Sequence, residues 1–306
     1  MSLDTYIVEG GIGKCLMFTS LLPKLVEKAG GPVQVVTPYV DVFANNPLVK
    51  MCYDQNTIPL DHPEILKSDN IYFSEPYKSN WIKGDDHLIQ SYCELHGVEF
   101  DVNMRPAMYT DHLKDEVDKW LNETKINNKP IILIQFSGGQ SPIGFNAANN
   151  YVSSNAGRNY HPYFAQAIVN GLNQKYSDHV VVDVTMPNEP AFQGAIKCER
   201  PYPFLVELLK RSKGFIGIDS CLQHFAAVTG TRGVVIWGNT RWTQFGWMHH
   251  KNMSFHDKNR YNTFYKMDVA DPRNLMVDAN VVFDVFVNNV YDKKAEEKDI
   301  QVAHKK

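Results

Sequence analysis

The sequence predicts an α/β protein with two similar domains that face each other across a cleft. Short apolar runs alternate with helix-like stretches along the chain, a pattern typical of parallel sheets covered by helices. A polar segment, residues 122–130, separates two such series. Each series contains a strand that runs into a small or polar turn and then into a helix, so both halves follow one plan.

The elements are predicted in chain order. The first domain, residues 1–125, has strands at 6–8, 33–37 and 71–73 and helices at 14–29, 87–96 and 110–123. The second, residues 130–270, has strands at 131–136, 180–184, 214–218 and 233–237 and helices at 162–174, 203–212 and 223–228. Residues 271–306 are predicted as a final helix and a polar tail, frayed or disordered at 292–299. Sites belong at the carboxyl ends of the strands.

The composition indicates a globular protein without a membrane-spanning or secretory segment. The chain has 306 residues and a net charge of −3, and no run of about 18 apolar residues occurs. A cytoplasmic location is therefore expected, or the host cytoplasm for a viral protein. The five cysteines are scattered without a Cys-x-x-Cys pair, and His249, His250 and His256 form no compact ligand set. No metal and no cofactor are expected.

The two halves differ in charge. Residues 1–125 hold 11 Lys and Arg against 19 Asp and Glu, whereas residues 126–306 hold 20 against 15. The basic second half suits an anionic ligand such as a nucleotide diphosphate. The acidic first half does not favour a nucleic-acid partner, although a local basic patch stays open.

A glycine-bearing turn follows the first strand. Gly11 and Gly13 permit close backbone approach, and Lys14 comes directly after them. The turn lacks the third glycine of a dinucleotide-binding fingerprint. Because Cys15 follows Lys14, it also lacks the Ser or Thr that ends a P-loop.

The most informative stretch is GFIGIDSCLQHFAA, residues 214–227. It predicts a buried strand, a polar turn and a helix that Asp219 or Ser220 caps. The first N–H groups of a helix have no partner within it, and the helix dipole favours an anion there. Asp219 is therefore either a cap or a site residue, and His224 either contacts the ligand or supports the helix from the core.

Residues 11–16 and 219–227 together resemble the heptosyltransferase-like glycosyltransferases, family 9, whose GT-B fold has two Rossmann-like domains. The landmarks at 36–38, 43–47, 135–139, 158–162, 238–240 and 271–273 resemble the family in the same order. The resemblance covers most of the chain, and residues 219–227 are its most specific part. It implies an inverting, metal-independent sugar transfer from a nucleotide-sugar to an acceptor hydroxyl.

The resemblance also implies a donor site. Backbone N–H groups of Ser220, Cys221 and Leu222 and the guanidinium of Arg158 would hold the diphosphate. Ser137 and Gly138 would line the pocket, and Glu189 would accept hydrogen bonds from ribose. The remaining donor-site candidates are Gly11, Gly13, Asp219 and His224.

Lys14 departs from the family pattern, which commonly carries an Asp there as candidate general base. Lysine is protonated at neutral pH unless burial lowers its pKa by about three units. A protonated Lys14 would not act as the base but would hold a phosphate or the charge of the leaving group. A carboxylate of the first domain would then be the base. Glu9, Asp41 and Asp111 are the candidates, and Glu9 is the nearest in sequence.

Other functions stay open. A bacteriophage-type glycosyltransferase acting on hydroxymethylated bases would keep the enzyme class and change the acceptor. A catalytically silent nucleotide-sugar-binding protein would keep the donor site without turnover, and an epimerase of related fold is a further alternative. The aromatic cluster of Trp237, Trp242, Phe245 and Trp247 is either a core edge or a stacking platform.

Overall fold

The computed structural model describes residues 3–78, 86–138, 159–186, 189–238, 240–254, 277–296 and 299–303. The strands are β1 (Asp4–Ile7), β2 (Val33–Thr37), β3 (Val49–Asp54), β4 (Asn70–Phe73), β5 (Ile131–Gln135), β6 (Val180–Val184), β7 (Ile196–Cys198), β8 (Ser212–Ile218), β9 (Gly233–Trp237) and β10 (Lys251–Ser254). The α-helices are α1 (Ile12–Phe18), α2 (Leu22–Ala29), α3 (Val40–Phe43), α4 (Pro63–Leu66), α5 (Leu88–His96), α6 (Lys114–Glu123), α7 (Pro162–Lys175), α8 (Tyr202–Leu209), α9 (Cys221–Thr229), α10 (Trp242–Phe245) and α11 (Ala279–Asn289).

The strands form two parallel sheets. Within the described residues the first has the order β3-β2-β1-β4 and the second the order β10-β9-β8-β5-β6-β7. Every residue of β1, β2, β5, β6 and β9 is buried, as expected for parallel strands covered on both faces. The predicted α/β class with two Rossmann-like halves is confirmed.

The predicted helix at 14–29 is interrupted in the structure. Helix α1 ends at Phe18, a 3₁₀ turn spans Thr19–Leu21, and α2 starts at Leu22. Pro23 lies in the first turn of α2, where a residue without an N–H group is tolerated because no intrahelical bond is lost. The break turns one predicted helix into two, and α1 keeps the residues of the glycine-bearing turn.

The second sheet has helices on both faces. Side chains of α7 and α11, among them Ile168, Leu172 and Phe286, pack on one face against Ile132 and Ile134. Helices α8 and α9 cover the other face and belong to a cluster of buried apolar residues that continues into the first sheet and α1. The two halves therefore share one core behind the facing ends of their strands.

The C-terminal segment is packed, in contrast to the expected frayed tail. The N–H of Ala295 donates to the carbonyl of Gly230, and Ile300, Val302 and Ala303 are buried. The mixed charges at 292–299 suggested solvation, but the apolar residues that follow anchor the segment in the core. Among the described residues no helix has both the length and the apolar character needed to cross a bilayer.

Candidate active site

A cavity of about 620 Å³ lies at the carboxyl ends of the strands, between the two halves. Both predicted turns line it. The residues from the first half are Gly10, Gly11, Ile12, Gly13, Lys14, Met17, Tyr39, Tyr77 and Leu88. Those from the second half include Gln135, Ser137, Gly138, Thr185, Met186, Glu189, Arg200, Tyr202, Asp219, Ser220, Cys221 and His224. The cavity is thus lined by both domains.

The glycine-bearing turn forms the first wall. Gly10 has φ +99°, a left-handed conformation that favours glycine, and it lets the chain turn from β1 into α1. Gly11 is the N-cap residue of α1. Gly13 lies against the imidazole of His224 in the other half, since a Cβ placed on it would be 2.7 Å from the ring's Cδ2. Gly13 is therefore a point of contact between the halves.

Lys14 is buried and paired. Its Nζ lies 2.7 Å from Oε2 of Glu75 and 4.7 Å from the centre of the Tyr77 ring. The other oxygen of Glu75 accepts the N–H of Tyr77 at 3.1 Å. The Lys14 side chain is 5% exposed and ion-paired with a carboxylate, a geometry that suits the stabilisation of negative charge in the cavity.

The carboxylates predicted as bases are not brought to the cavity. Glu9 is exposed and bound by the side-chain amide of Gln55, and Asp41 is exposed on α3. Asp111 is exposed and paired with Lys210, whose ammonium lowers the pKa of that carboxyl. The carboxylate nearest to Lys14 is Glu75, two residues beyond β4. The rule that sites follow parallel strands could have identified it.

Helix α9 forms the second wall, with Ser220 as its N-cap. A Cβ on Gly138 would lie 2.7 Å from Oγ of Ser220, so the turn after β5 approaches α9 as closely as glycine permits. Asp219 is 5% exposed and accepts a hydrogen bond from the amide of Gln223 at 3.0 Å. The structure therefore brings Ser137, Gly138 and residues 219–221 together as predicted.

One of the predicted donor groups, the N–H of Leu222, is already engaged. The N–H of Leu222 donates to Oε1 of Gln135 at 3.3 Å, so Gln135, which the sequence motifs did not indicate as a site residue, competes with a ligand for this N–H. The thiol of Cys221 also lies 3.7 Å from Nε2 of Gln135, and burial raises the pKa of that thiol. Cys221 is thus a neutral thiol rather than a nucleophile, and its part in the site comes from its backbone.

Glu189 ties two loops of the second half together. Its Oε2 accepts hydrogen bonds from Oγ of Ser137 at 2.8 Å and from the N–H of Met186 at 3.1 Å. These bonds hold the turn after β5 against the turn after β6, and both turns line the cavity. Glu189 accepts from protein donors through one oxygen.

His224 is held by a tryptophan. Its Nδ1 accepts the indole N–H of Trp247 at 3.1 Å, and burial lowers the pKa of its imidazole to about 3. Trp237 and Trp247 are fully buried, so the core-edge reading of the aromatic cluster holds for these two. The aromatic pattern included Trp247 but did not pair it with His224, because 23 residues separate the two side chains.

The cations of the second wall differ from the prediction. Arg158 lies outside the described residues. Arg200 lines the cavity, with its guanidinium carbon 5.5 Å from the centre of the Phe204 ring and one nitrogen 3.8 Å from Glu116. Arg200 is exposed and was not predicted, because it follows the short strand β7 that the pattern missed.

Within the described ranges, no three His, Cys, Asp or Glu side chains are grouped to hold a metal ion.

Solved structures of similar fold include glycosyltransferases. A glycosyl transferase family 9 protein from Veillonella parvula DSM 2008 superposes with a TM-score of 0.65 at 9% identity, over 92% of this chain and 95% of that one. The ADP-heptose LPS heptosyltransferase II of E. coli gives 0.60 at 13% identity, over 92% and 98%. The E. coli heptosyltransferase WaaC with ADP gives 0.55 at 8% identity, over 94% and 97%.

The likeness is one of fold. Neither a protein-family model nor a curated protein matches the sequence. Identities of 8–13% over almost the whole chain nevertheless accompany a shared two-domain architecture. The chain therefore has the GT-B fold that family 9 glycosyltransferases also have, as the two motifs suggested, at low sequence identity.

Proposed function

We propose that the protein is a glycosyltransferase that moves a sugar from a nucleotide-sugar to an acceptor hydroxyl. The observation that carries the proposal is the pairing of α1 and α9, whose N-terminal residues line opposite walls of one cavity. Helix N-termini favour anions, and a nucleotide-sugar carries its charge on the diphosphate next to the reacting carbon. The GT-B fold and residues 219–224 support the same reaction.

In the proposed arrangement the second half binds the donor. Ser220, the start of α9 and Arg158 would contact the diphosphate, with Ser137 and Gly138 beside it. The acceptor oxygen attacks the anomeric carbon, the bond from that carbon to the diphosphate breaks, and the electron pair leaves with the diphosphate. Transfer by a single displacement inverts the anomeric centre, and the proposed reaction uses no metal.

Lys14 has an electrostatic role in this proposal. Its ammonium is held by Glu75 at the cavity wall, where it would stabilise negative charge on the leaving diphosphate. Proton removal from the acceptor then falls to a carboxylate. Glu9 and Asp41 remain candidates only if substrate binding brings them to the cavity, because neither lines it.

A second candidate follows from the same observation. The cavity-lining carboxylates within the described residues, Glu189 and Asp219, both belong to the second half and both accept hydrogen bonds from the protein. A nucleotide-sugar-binding protein without turnover would have this donor wall and no free base. Normal binding of a nucleotide-sugar with no product across sugar, lipid and hydroxymethylated DNA acceptors would favour this candidate.

The test is thermal unfolding with ADP, UDP, GDP and CMP and with their sugar conjugates. A ligand at about one hundred times its dissociation constant stabilises the folded state by ~2.7 kcal/mol. We expect one nucleotide to stabilise the protein selectively, and Ser220→Ala and Arg158→Ala to reduce the effect. Lys119→Ala changes an exposed cation of α6 and serves as the control. Absence of stabilisation by every nucleotide would contradict the proposal.

A further inference from the structure

The two ring nitrogens of His224 have different environments. The indole N–H of Trp247 donates to Nδ1 at 3.1 Å, so Nδ1 is the unprotonated nitrogen. A neutral imidazole carries its single proton on the other nitrogen, which makes Nε2 a donor. A proton on Nδ1 would point at the indole N–H of Trp247, and two donors that face each other form no hydrogen bond. The tautomer of His224 is therefore fixed by its partner.

Nε2 faces the cavity wall of the other half. A Cβ on Gly13 would lie 2.9 Å from Nε2, and His224 is among the residues that line the cavity. Among the residues that the structure describes, the imidazole of His224 makes one hydrogen bond, the one to Trp247. The Nε2–H group is thus available to a ligand at the meeting point of α1 and α9.

The surroundings of His224 keep the ring neutral. Burial lowers its pKa to about 3, and the neighbouring His87 and His250 act in the same direction. His87 accepts the N–H of Ile89 through Nδ1, and its Nε2 lies 3.1 Å from the carbonyl oxygen of Gly246. Trp247 and Gly13, which contact the ring directly, are uncharged. His224 therefore provides a hydrogen bond without a charge at neutral pH.

Trp247 is itself held by the C-terminal segment. Backbone bonds join Met248 N–H to the carbonyl of Gln301 and Ala303 N–H to the carbonyl of Gly246. Val302 pairs with Trp247 in an antiparallel bridge, and its N–H donates to the carbonyl of Val102 in the first half. The segment thus fixes the backbone on both sides of the indole and links it to the other half.

From these contacts we infer that Trp247 is a positioning residue, which holds His224 as an uncharged Nε2–H donor for a diphosphate oxygen of the nucleotide-sugar. The inference rests on the proposed function for the identity of the ligand. It assigns His224 to binding and excludes it as general base, because the nitrogen that could accept a proton is occupied by Trp247. Loss of the indole N–H would let the ring adopt either tautomer or turn away.

The first test uses the ligand-free protein. We expect ¹⁵N NMR of histidine-labelled protein to show a bare Nδ1 and a protonated Nε2 for His224, unchanged between pH 8 and pH 5. Assignment comes from the signal that disappears in His224→Gln. A proton on Nδ1, or titration of the ring within this range, would overturn the inference whether or not any nucleotide binds.

The second test compares two tryptophans. Trp247→Phe removes the indole N–H that reaches His224, whereas Trp237→Phe removes one that donates to Asn252 at 2.9 Å from an equally buried ring. We expect Trp247→Phe to release the tautomer and to raise the dissociation constant of the best ligand among ADP, UDP and GDP about three- to tenfold, the scale of one hydrogen bond. Trp237→Phe should leave both unchanged.

A double-mutant cycle separates positioning from general damage. If Trp247 acts through His224, Trp247→Phe should not weaken binding further in a His224→Ala background. Equal losses in both backgrounds, or equal losses in the Trp247 and Trp237 variants, would overturn the inference. Failure of all three nucleotides to bind would instead contradict the proposed function. The NMR result would then test only whether Trp247 fixes the tautomer of His224.

Discussion

Gly13 and His224 lie in different halves of the protein and touch. A methyl group on Gly13 would be 2.7 Å from Cδ2 and 2.9 Å from Nε2 of the imidazole, closer than such atoms approach without displacement. The contact joins the first turn of α1 to α9 at the cavity. The second glycine of the sequence motif is therefore required by its contact with the opposite domain.

Gly13→Ala should displace the His224 ring and strain the contact between the halves. We expect a loss of about 1–3 kcal/mol in the free energy of unfolding, the cost of overpacking a filled site. Urea denaturation of the ligand-free protein measures it. Gly11→Ala is the matched control, because a Cβ there meets no protein atom within 4 Å and its φ is −74°. Equal losses in the two variants would show that the turn, and not the imidazole, requires glycine.

Glu75→Gln should destabilise the protein by about 1–3 kcal/mol, because it leaves the ammonium of Lys14 buried without its counter-ion. The exposure of Glu75, 30%, keeps the expected loss below that of a fully buried pair. Glu123→Gln breaks the pair of Lys119 and Glu123, whose side chains are 76% and 53% exposed, and should cost less than about 0.5 kcal/mol. Urea denaturation at neutral pH compares the two. Equally small losses of unfolding free energy in the two variants would mean that the buried Lys14 is not stabilised by its pair with Glu75.

His96→Phe should make the protein less sensitive to acid. Burial lowers the pKa of His96 to about 4, and its Nε2 has no hydrogen-bond partner among the described residues. The folded pKa lies below the unfolded value of about 6.5, so this histidine costs stability as the pH falls from about 6.5 towards 4. Phenylalanine would keep the edge contacts to Tyr6, Phe18 and Tyr72 without the titration.

The measurement is the slope of unfolding free energy with pH. Wild type should lose stability steeply below about pH 6.5, since His224 and His250, with pKa values near 3, act in the same direction as His96. The variant should reduce that slope by one proton, about 1.4 kcal/mol per pH unit. Parallel wild-type and variant curves from pH 8 to pH 5 would show that His96 takes up its proton in the folded state.

Ile300→Ala should cost about 2–4 kcal/mol, as expected for a large-to-small change in a core. Ile300 is 3% exposed and belongs to the apolar cluster shared by both halves. Leu66→Ala, at a position 60% exposed, should change the free energy of unfolding by less than about 0.5 kcal/mol. Guanidinium denaturation compares the two. A loss as small as that of the Leu66 variant would show that the C-terminal segment is not packed in the core and would favour the predicted frayed tail.

Strands buried on both faces were predictable because parallel sheets require continuous apolar runs. The predicted ranges 33–37, 180–184 and 233–237 coincide with β2, β6 and β9. Strands β3, β7 and β10 were missed. Strand β3 is an edge strand with exposed Lys50 and Met51, so its sequence lacks the apolar run that identified the others.

Part of the cavity lining was predictable, where backbone geometry defines it. Gly13, Gly138 and Ser220 follow strands, and the strand ends of a parallel sheet gather at one edge. The partners that set their chemistry were not predictable, because Glu75, Gln135 and Trp247 are distant in sequence and belong to no local pattern. Glu9 was chosen by nearness in sequence, and the structure turns it to solvent beside Gln55.

The sequence by itself determined the α/β class, the two-domain plan and the two strand-to-helix turns that line the cavity, because these depend on local periodicity, glycine and free helix termini. Only the tertiary structure decided that Lys14 is ion-paired with Glu75, that the predicted bases lie off the cavity and that Trp247 donates to Nδ1 of His224. Ion pairing and the tautomer of a histidine depend on which polar atoms lie within about 2.5–3.5 Å of each other. That distance is set by the packing of separate elements rather than by their order in the chain.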